Sequence, residues 1–151
     1  MIMEKRVLSN GVEIPAIGLG VYLSPEGQAT ADSVRWAVEA GYRHIDAAAV
    51  YGNECSVGEG IKTCGIPRDQ LFLTSKLWND DIRKGRALDA FKESLERLGT
   101  DYLDLYLIHW PADGHVKAWH VLEELYQTGA VRAIGVSNYH SQHIAELESE
   151  A

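Results

Sequence analysis

A chain of 151 residues, 46% of them apolar, has the length and composition of one ordinary globular domain. Its formal charge of −8 excludes the basic face that nucleic acid or an anionic membrane surface requires, and no stretch reaches the roughly 18 apolar residues of a membrane span. Cys55 and Cys64 stand apart from any paired ligands, so they do not read as a zinc site; with no secretory signal at the start, reduced thiols in a cytoplasmic protein are expected.

Residues 7–14 read as a small hairpin in which Asn10-Gly11 supplies a tight two-residue turn. Residues 17–21 are expected to be the first strand of a larger sheet. Gly18-Leu19-Gly20 begins like a dinucleotide fingerprint, but Leu23 stands where the third glycine belongs, and the motif is rejected. The glycines are read instead as letting a cofactor or a neighbouring strand approach the backbone. Val34, Ala37 and Val38 have helical spacing, closed by Gly41. A short strand His44–Asp46 follows, then a helix over residues 56–62, a turn at Pro67 and a strand over residues 71–75. Ala87, Phe91, Leu95 and Leu98 mark one helical face ahead of the strand Leu103–Ile108. Val116, Trp119, Leu122 and Leu125 mark the next, ended by Gly129 and followed by the strand Val131–Val136. Trp36 and Trp119 fall within helices and are expected to be packing residues. His115, His120, His140 and His143 show no metal-ligand pairing and are expected on the surface or along helices.

Ser141 is expected to cap a last helix carrying Ile144, Leu147 and Ala151. Glu146, Glu148 and Glu150 crowd its final turns, where the helix dipole favours cations, so the chain is expected to break off inside an element. Strands and helices alternating about every 30 residues form the βαβ repeat of a parallel α/β sheet, in a single unit over residues 1–151.

Several strand ends carry chemistry. Asp46 closes one apolar run and Tyr51 follows in a glycine-broken loop; Lys76 and His109 follow two further runs. Singly, such residues are commonly turn, packing or solvated residues. Together, a carboxylate, a phenol, an ammonium and an imidazole beyond successive strands suggest one polar site at one end of a sheet.

Six stretches carry a resemblance: Gly41-Tyr42-Arg43-His44-Ile45-Asp46 with Tyr51-Gly52-Asn53-Glu54 and Val57-Gly58; Thr74-Ser75-Lys76-Leu77-Trp78; Leu107-Ile108-His109-Trp110-Pro111; and Ala133-Ile134-Gly135-Val136-Ser137-Asn138. In this order and spacing, across nearly the whole chain, the sequence closely resembles the aldo-keto reductases, NAD(P)H-dependent carbonyl reductases built on a (β/α)8 TIM barrel. The resemblance implies Asp46, Tyr51, Lys76 and His109 as catalytic residues. It implies Gly20, Val21, Asp46, Ser137 and Asn138 as cofactor-binding residues and NADPH as the cofactor. Tyr22, Trp78 and Trp110 match walls of the pocket for a small carbonyl substrate. Asn138 is also readable as a cap of the following helix, and Ala47 holds a position where relatives often carry threonine or serine. The hairpin matches one that plugs the N-terminal mouth of the barrel.

A complete barrel takes about 250 residues, so the resemblance implies five of eight βα units here. Such a sheet would have open edges, and the faces of Leu19, Ile45, Leu73, Leu107 and Val136 are expected to point inward without an opposite wall. Residues 1–151 alone are therefore expected neither to reduce substrate nor to stand as a stable monomer, but to need a complementary fragment or self-association.

The chemistry agrees with these residue types. Carbonyl reduction needs a hydride, which no side chain supplies, and a proton from a suitable acid. An adjacent ammonium favours the phenolate form of tyrosine, which makes Lys76 the expected partner of Tyr51 and Asp46 the expected counter-charge of Lys76. His109 is suited to hydrogen-bond the carbonyl oxygen. A non-catalytic fragment acting only after assembly is the alternative. A metal-dependent barrel hydrolase lacks its His-x-His or clustered carboxylate ligands in this sequence.

Overall fold

The computed structural model describes residues 4–150; Ala151, expected on the last helical face, and Met1–Met3 lie outside them. β1 (Lys5–Val7) and β2 (Glu13–Pro15) form an antiparallel pair. β3 (Leu19–Gly20), β4 (His44–Asp46), β5 (Phe72–Leu77), β6 (Leu103–Ile108) and β7 (Val131–Val136) lie side by side in chain order, each parallel to the next. Between them run α1 (Gln28–Glu39), α2 (Glu54–Thr63), α3 (Asn79–Arg83), α4 (Ala87–Leu98) and α5 (His115–Gln127), and α6 (Ser141–Glu150) follows β7. Right-handed crossovers that always step the same way along a sheet place their helices on one face. The main core is the layer between that face and those helices.

The register decides which side chains enter the core. Leu19 lies opposite Ile45 and Ile45 opposite Leu73, while Leu77 lies opposite Ile108 and Ile108 opposite Val136. Ile45, Leu73, Leu77, Tyr106 and Ile108 are all sealed in the helix-side core, with Leu19 and Val136 packed against it. The opposite face carries Asp46, Thr74 and Leu105 in one row and Lys76, Leu107 and Gly135 in the next. Of the five residues expected to point away from the helices, only Leu107 does so. Strands covered on both faces are apolar throughout, so alternation in the sequence does not distinguish the two sides.

The hairpin turn also differs from expectation. Leu8 N–H donates to Val12 O at 2.8 Å and Gly11 N–H to Leu8 O at 2.9 Å. These bonds enclose the three-residue loop Ser9-Asn10-Gly11, in which Gly11 alone has positive φ. Asn10 Oδ1 accepts from the Val12 amide at 3.2 Å, and its Nδ2 donates to Arg132 O on β7 at 2.9 Å, tying the hairpin to the sheet. At that end, the fully buried Asp104 accepts from Arg68 at 2.8 Å, Arg132 at 2.7 Å and the Leu73 amide at 2.9 Å.

Two other expectations are corrected. Trp36 is exposed, on the α1 face opposite Val34 and Val38. His115 is a helix residue as expected, opening α5, and there it is buried, bonded to Tyr139 Oη at 3.0 Å and Glu146 Oε2 at 3.2 Å. Ser141 lies inside α6; His140 O accepts the first helical bond from Ile144, and His140 N–H donates to His143 Nδ1 at 3.1 Å, one half of a capping box with histidine in the acidic position.

Helix α2 contains two glycines, Gly58 and Gly60, despite their poor helix propensity. A Cβ at Gly58 would stand 2.7 Å from Leu98 O and 2.8 Å from Arg97 O, and one at Gly60 would stand 2.6 Å from Val34 Cβ. The glycines therefore let α2 rest directly on the end of α4 and on α1. Gly58→Ala is expected to lower stability by about 1–3 kcal/mol through backbone overlap, outweighing the roughly 1 kcal/mol gained in propensity. Denaturant midpoints of the two proteins check this, and an unchanged or raised midpoint would contradict it.

Candidate active site

Lys76 is the centre of the site. It lies within β5 rather than beyond it and is only 6% exposed. Its Nζ pairs with Asp46 Oδ1, donates to Ala47 O at 2.9 Å and lies 3.5 Å from Tyr51 Oη. β4 and β5 are adjacent and in register, Asp46 beside Thr74, so the end of β4 delivers the carboxylate and the next carbonyl to the lysine. Ala47 thus takes part through its backbone, whatever its side chain lacks.

After Ala47 the chain makes a 3-10 turn, Ala49–Tyr51, closed by Gly52 in the left-handed region at φ 68°. This turn carries Tyr51 back over Lys76, whose Nζ is 5.2 Å from the phenol ring centroid. The Tyr51 ring meets Tyr22 at 5.2 Å and the edge of His109 at 5.8 Å, and Trp78 closes the other side of His109 at 5.3 Å. His109 follows β6, held by its amide to Leu77 O at 3.1 Å. Its imidazole is buried, and Nδ1 has no hydrogen-bond partner. Burial, and secondarily the positive charge of Lys76, hold its pKa below the usual histidine value, opposed by Asp46. The ring is accordingly neutral at neutral pH.

β7 brings in Ser137 and Asn138. The Ser137 amide continues the ladder to Ile108 O at 2.9 Å, and Asn138 turns the chain with φ 60°. Asn138 Nδ2 donates to His109 O at 2.9 Å and Ser137 Oγ at 3.1 Å. Its side chain therefore braces the histidine segment instead of capping α6. The Ser137 hydroxyl proton and Asn138 Oδ1 stay available, a donor and an acceptor that fit an amide-bearing ligand such as nicotinamide. Gly20 lies beside Asp46 with open space where a Cβ would be, whereas a Cβ at Gly18 would stand 2.7 Å from the His44 ring. Val21 is buried, its amide bonded to Asp46 O at 3.2 Å and its carbonyl to Asn53. Tyr22 and Trp110 are exposed at the rim.

Asp46, Tyr51, Lys76 and His109 thus converge, with Tyr22, Trp78, Ser137 and Asn138 around them. Asn53 and Glu54 were not singled out as site residues in the sequence, yet both are buried and hydrogen-bonded through their side chains. Two polar residues just after Tyr51 are the signal that marks them.

The chain matches the Aldo/keto reductase family over residues 16–151. It is 52% identical over 145 residues to the glyoxal reductase of Bacillus subtilis (strain 168), covering 95% of this chain and 52% of that protein. The aldo/keto reductase of Brucella melitensis superposes with a TM-score of 0.95 at 42% identity, covering 99% of this chain and 59% of that one. The aldo-keto reductase of Bombyx mori, solved in complex with NADP, gives 0.90 at 38% identity, covering 100% of this chain and 55% of that one. The chain spans about half the length of the curated relatives it matches. Its five parallel strands correspond to part of the barrel in these structures. Agreement in sequence and backbone across nearly every residue reflects common descent, and the chain belongs to the aldo/keto reductase family.

Proposed function

We propose that this chain supplies the catalytic strand ends of an NADPH-dependent reductase that converts small aldehydes, ketones or keto-sugar acids to alcohols. The observation that carries this is a buried lysine ammonium, paired with Asp46, standing 3.5 Å from the Tyr51 hydroxyl. Bound NADPH supplies the hydride that reduces the carbonyl carbon. Tyr51 gives its proton to the carbonyl oxygen as negative charge develops there. Lys76 stabilises the charge left on the phenolic oxygen, and Asp46 and the Ala47 carbonyl keep the ammonium in place. His109, neutral, donates a hydrogen bond that orients the carbonyl oxygen. Ser137 and Asn138 would hold the nicotinamide amide, with Asp46 and the Gly20–Val21 segment contributing to the cofactor site, and Tyr22, Trp78 and Trp110 would wall the substrate. Tyr51 then regains its proton from solvent, so carbonyl, NADPH and one proton become alcohol and NADP⁺.

Tyr51→Phe keeps the ring and removes the acid, and is expected to lower turnover of para-nitrobenzaldehyde by about 10²- to 10⁴-fold. Lys76→Met is expected to lower it comparably while leaving KM for the aldehyde within a few-fold. Near wild-type turnover by either variant in a steady-state assay would remove that residue from the mechanism.

The site also shapes the pH dependence of stability. His44, like His109, has its pKa lowered from 6.5, mainly by burial, with Lys76 contributing and Asp46 opposing. The unfolded chain therefore binds protons that the native state refuses. The stability these groups contribute is full above 6.5 and is lost as pH falls below it toward the native values. Denaturant midpoints should drop between about pH 7.5 and about pH 5.5, and His44→Asn should make that drop shallower. A pH-independent midpoint would contradict the sign.

A second reading concerns completion of the sheet. Among the described residues β3 and β7 are its edges, and an open groove of about 770 Å³ at the β7 edge is lined by Leu105, Leu107 and Gly135 together with Trp119 and Tyr126 of α5 and the hairpin turn. Edge strands and apolar faces of this kind are normally paired or covered. On this reading further polypeptide, from the same protein, a complementary chain or a second copy, covers them before the site acts. Sedimentation and NADPH titration of purified residues 1–151 test it: self-association or weak binding is expected, and a cooperative monomer with micromolar affinity would refute it.

A further inference from the structure

Only Gly52 and Asn53 separate Tyr51 from Glu54, the first residue of α2, so whatever fixes Glu54 also fixes the tyrosine. Glu54 is 2% exposed and lies outside the lysine-centred cluster. Its Oε1 accepts from the Ser75 hydroxyl at 2.6 Å; its Oε2 accepts from the Ser94 hydroxyl at 3.2 Å and Arg97 Nε at 2.7 Å. Ser75 is the residue before Lys76, and successive strand side chains point to opposite faces. On the helix side, β5 grips Glu54 through Ser75. On the other side, it presents the ammonium to Asp46 and Tyr51. Asn53, also fully buried, donates to Val21 O at 2.9 Å and Ser24 O at 3.0 Å, bracketing the Tyr22 that touches the Tyr51 ring. The segment from Tyr51 to Glu54 is therefore pinned along its length.

A buried carboxylate is unfavourable unless charge-paired and hydrogen-bonded. An apolar residue would fill the same space at the foot of α2 without that penalty, but it would not register α2 against one particular residue of β5. We propose that Glu54 is a positioning residue. It locks the start of α2 onto the back of β5 beside Lys76, which holds the Tyr51 hydroxyl at the ammonium on the front. This rests on reading Tyr51 as the proton donor.

A double-mutant cycle in the protein at its full natural length tests it, with para-nitrobenzaldehyde and NADPH as probes. Glu54→Gln keeps the shape and removes the charge that Arg97 and the two serines hold. It is expected to lower kcat by about 10- to 100-fold, the scale of a small misplacement of a reacting group, with KM for the aldehyde and Kd for NADPH within about two-fold. In a Tyr51→Phe background the same substitution should lower kcat by less than about two-fold more, because a tyrosine that no longer gives a proton gains nothing from being placed. A purely structural glutamate would give equal losses in both backgrounds, and that result, or wild-type kcat for Glu54→Gln, overturns the proposal. If Glu54→Gln does not fold, Ser75→Ala takes its place in the cycle, with an expected loss of about 3- to 10-fold and the same non-additivity. An additive cycle with an impaired Tyr51→Phe rejects the role of Glu54 alone; full activity of Tyr51→Phe rejects the proton donor and, with it, this inference.

Discussion

A lysine ammonium buried to 6% exposure is tolerated only where fixed partners replace its water. Those partners, the Asp46 carboxylate, the Ala47 carbonyl and the Tyr51 hydroxyl, all come from the end of β4 and the turn after it. The requirement reaches outward from there. β4 must lie next to β5 with Asp46 at the level of Thr74, and the chain beyond Ala48 must reverse within a few residues to return the phenol. Gly52, in the left-handed conformation that side chains disfavour, makes that reversal possible. The ion pair and the local backbone therefore specify each other.

β5 works on both faces at once. Toward the helices it presents Leu73, Ser75 and Leu77; on the other side it presents Thr74 and Lys76. Helix α2 rests on α1 and on the end of α4 closely enough that Gly58 and Gly60 have no room for a methyl group. At its start, Glu54 reaches Ser75 of β5 at 2.6 Å. Packing glycines, a buried carboxylate network and the lysine cluster thus form consecutive layers from helix to strand to site. The far end of the sheet is held separately, by Asp104 between Arg68 and Arg132, and contributes rigidity rather than chemistry.

His109 shows how apolar surroundings tune a polar group. Trp78 and Tyr51 flank its ring, and Asn138 holds its carbonyl from below. Burial and the nearby ammonium act in the same direction, so the imidazole stays neutral. Asn138 meets two demands with one side chain, adopting a positive φ that asparagine tolerates and bracing the neighbouring strand end.

The strand and helix order, the parallel sheet and the convergence of Asp46, Tyr51, Lys76 and His109 were legible in the residues, because the βα repeat is local and strand ends in a parallel sheet share one side. What the sequence left open follows from the same physics. Ile45 and Leu73 face the helices and not the opposite side, a choice that uniformly apolar strands do not encode and that register alone decides. The three-residue hairpin loop leaves Asn10 bonded both to the Val12 amide beside it and to Arg132 O, 122 residues away on β7. His115 is buried and Trp36 exposed because a helix face is defined by its neighbours, and those are distant in the chain. Glu54 likewise gains its meaning only when Ser75, Ser94 and Arg97 are brought to it from 21, 40 and 43 residues away. By itself the sequence determined which groups stand at the strand ends, since that depends on local periodicity. Tertiary structure alone decided which face each side chain enters and which buried charges meet, since those depend on contacts between segments that local sequence does not specify.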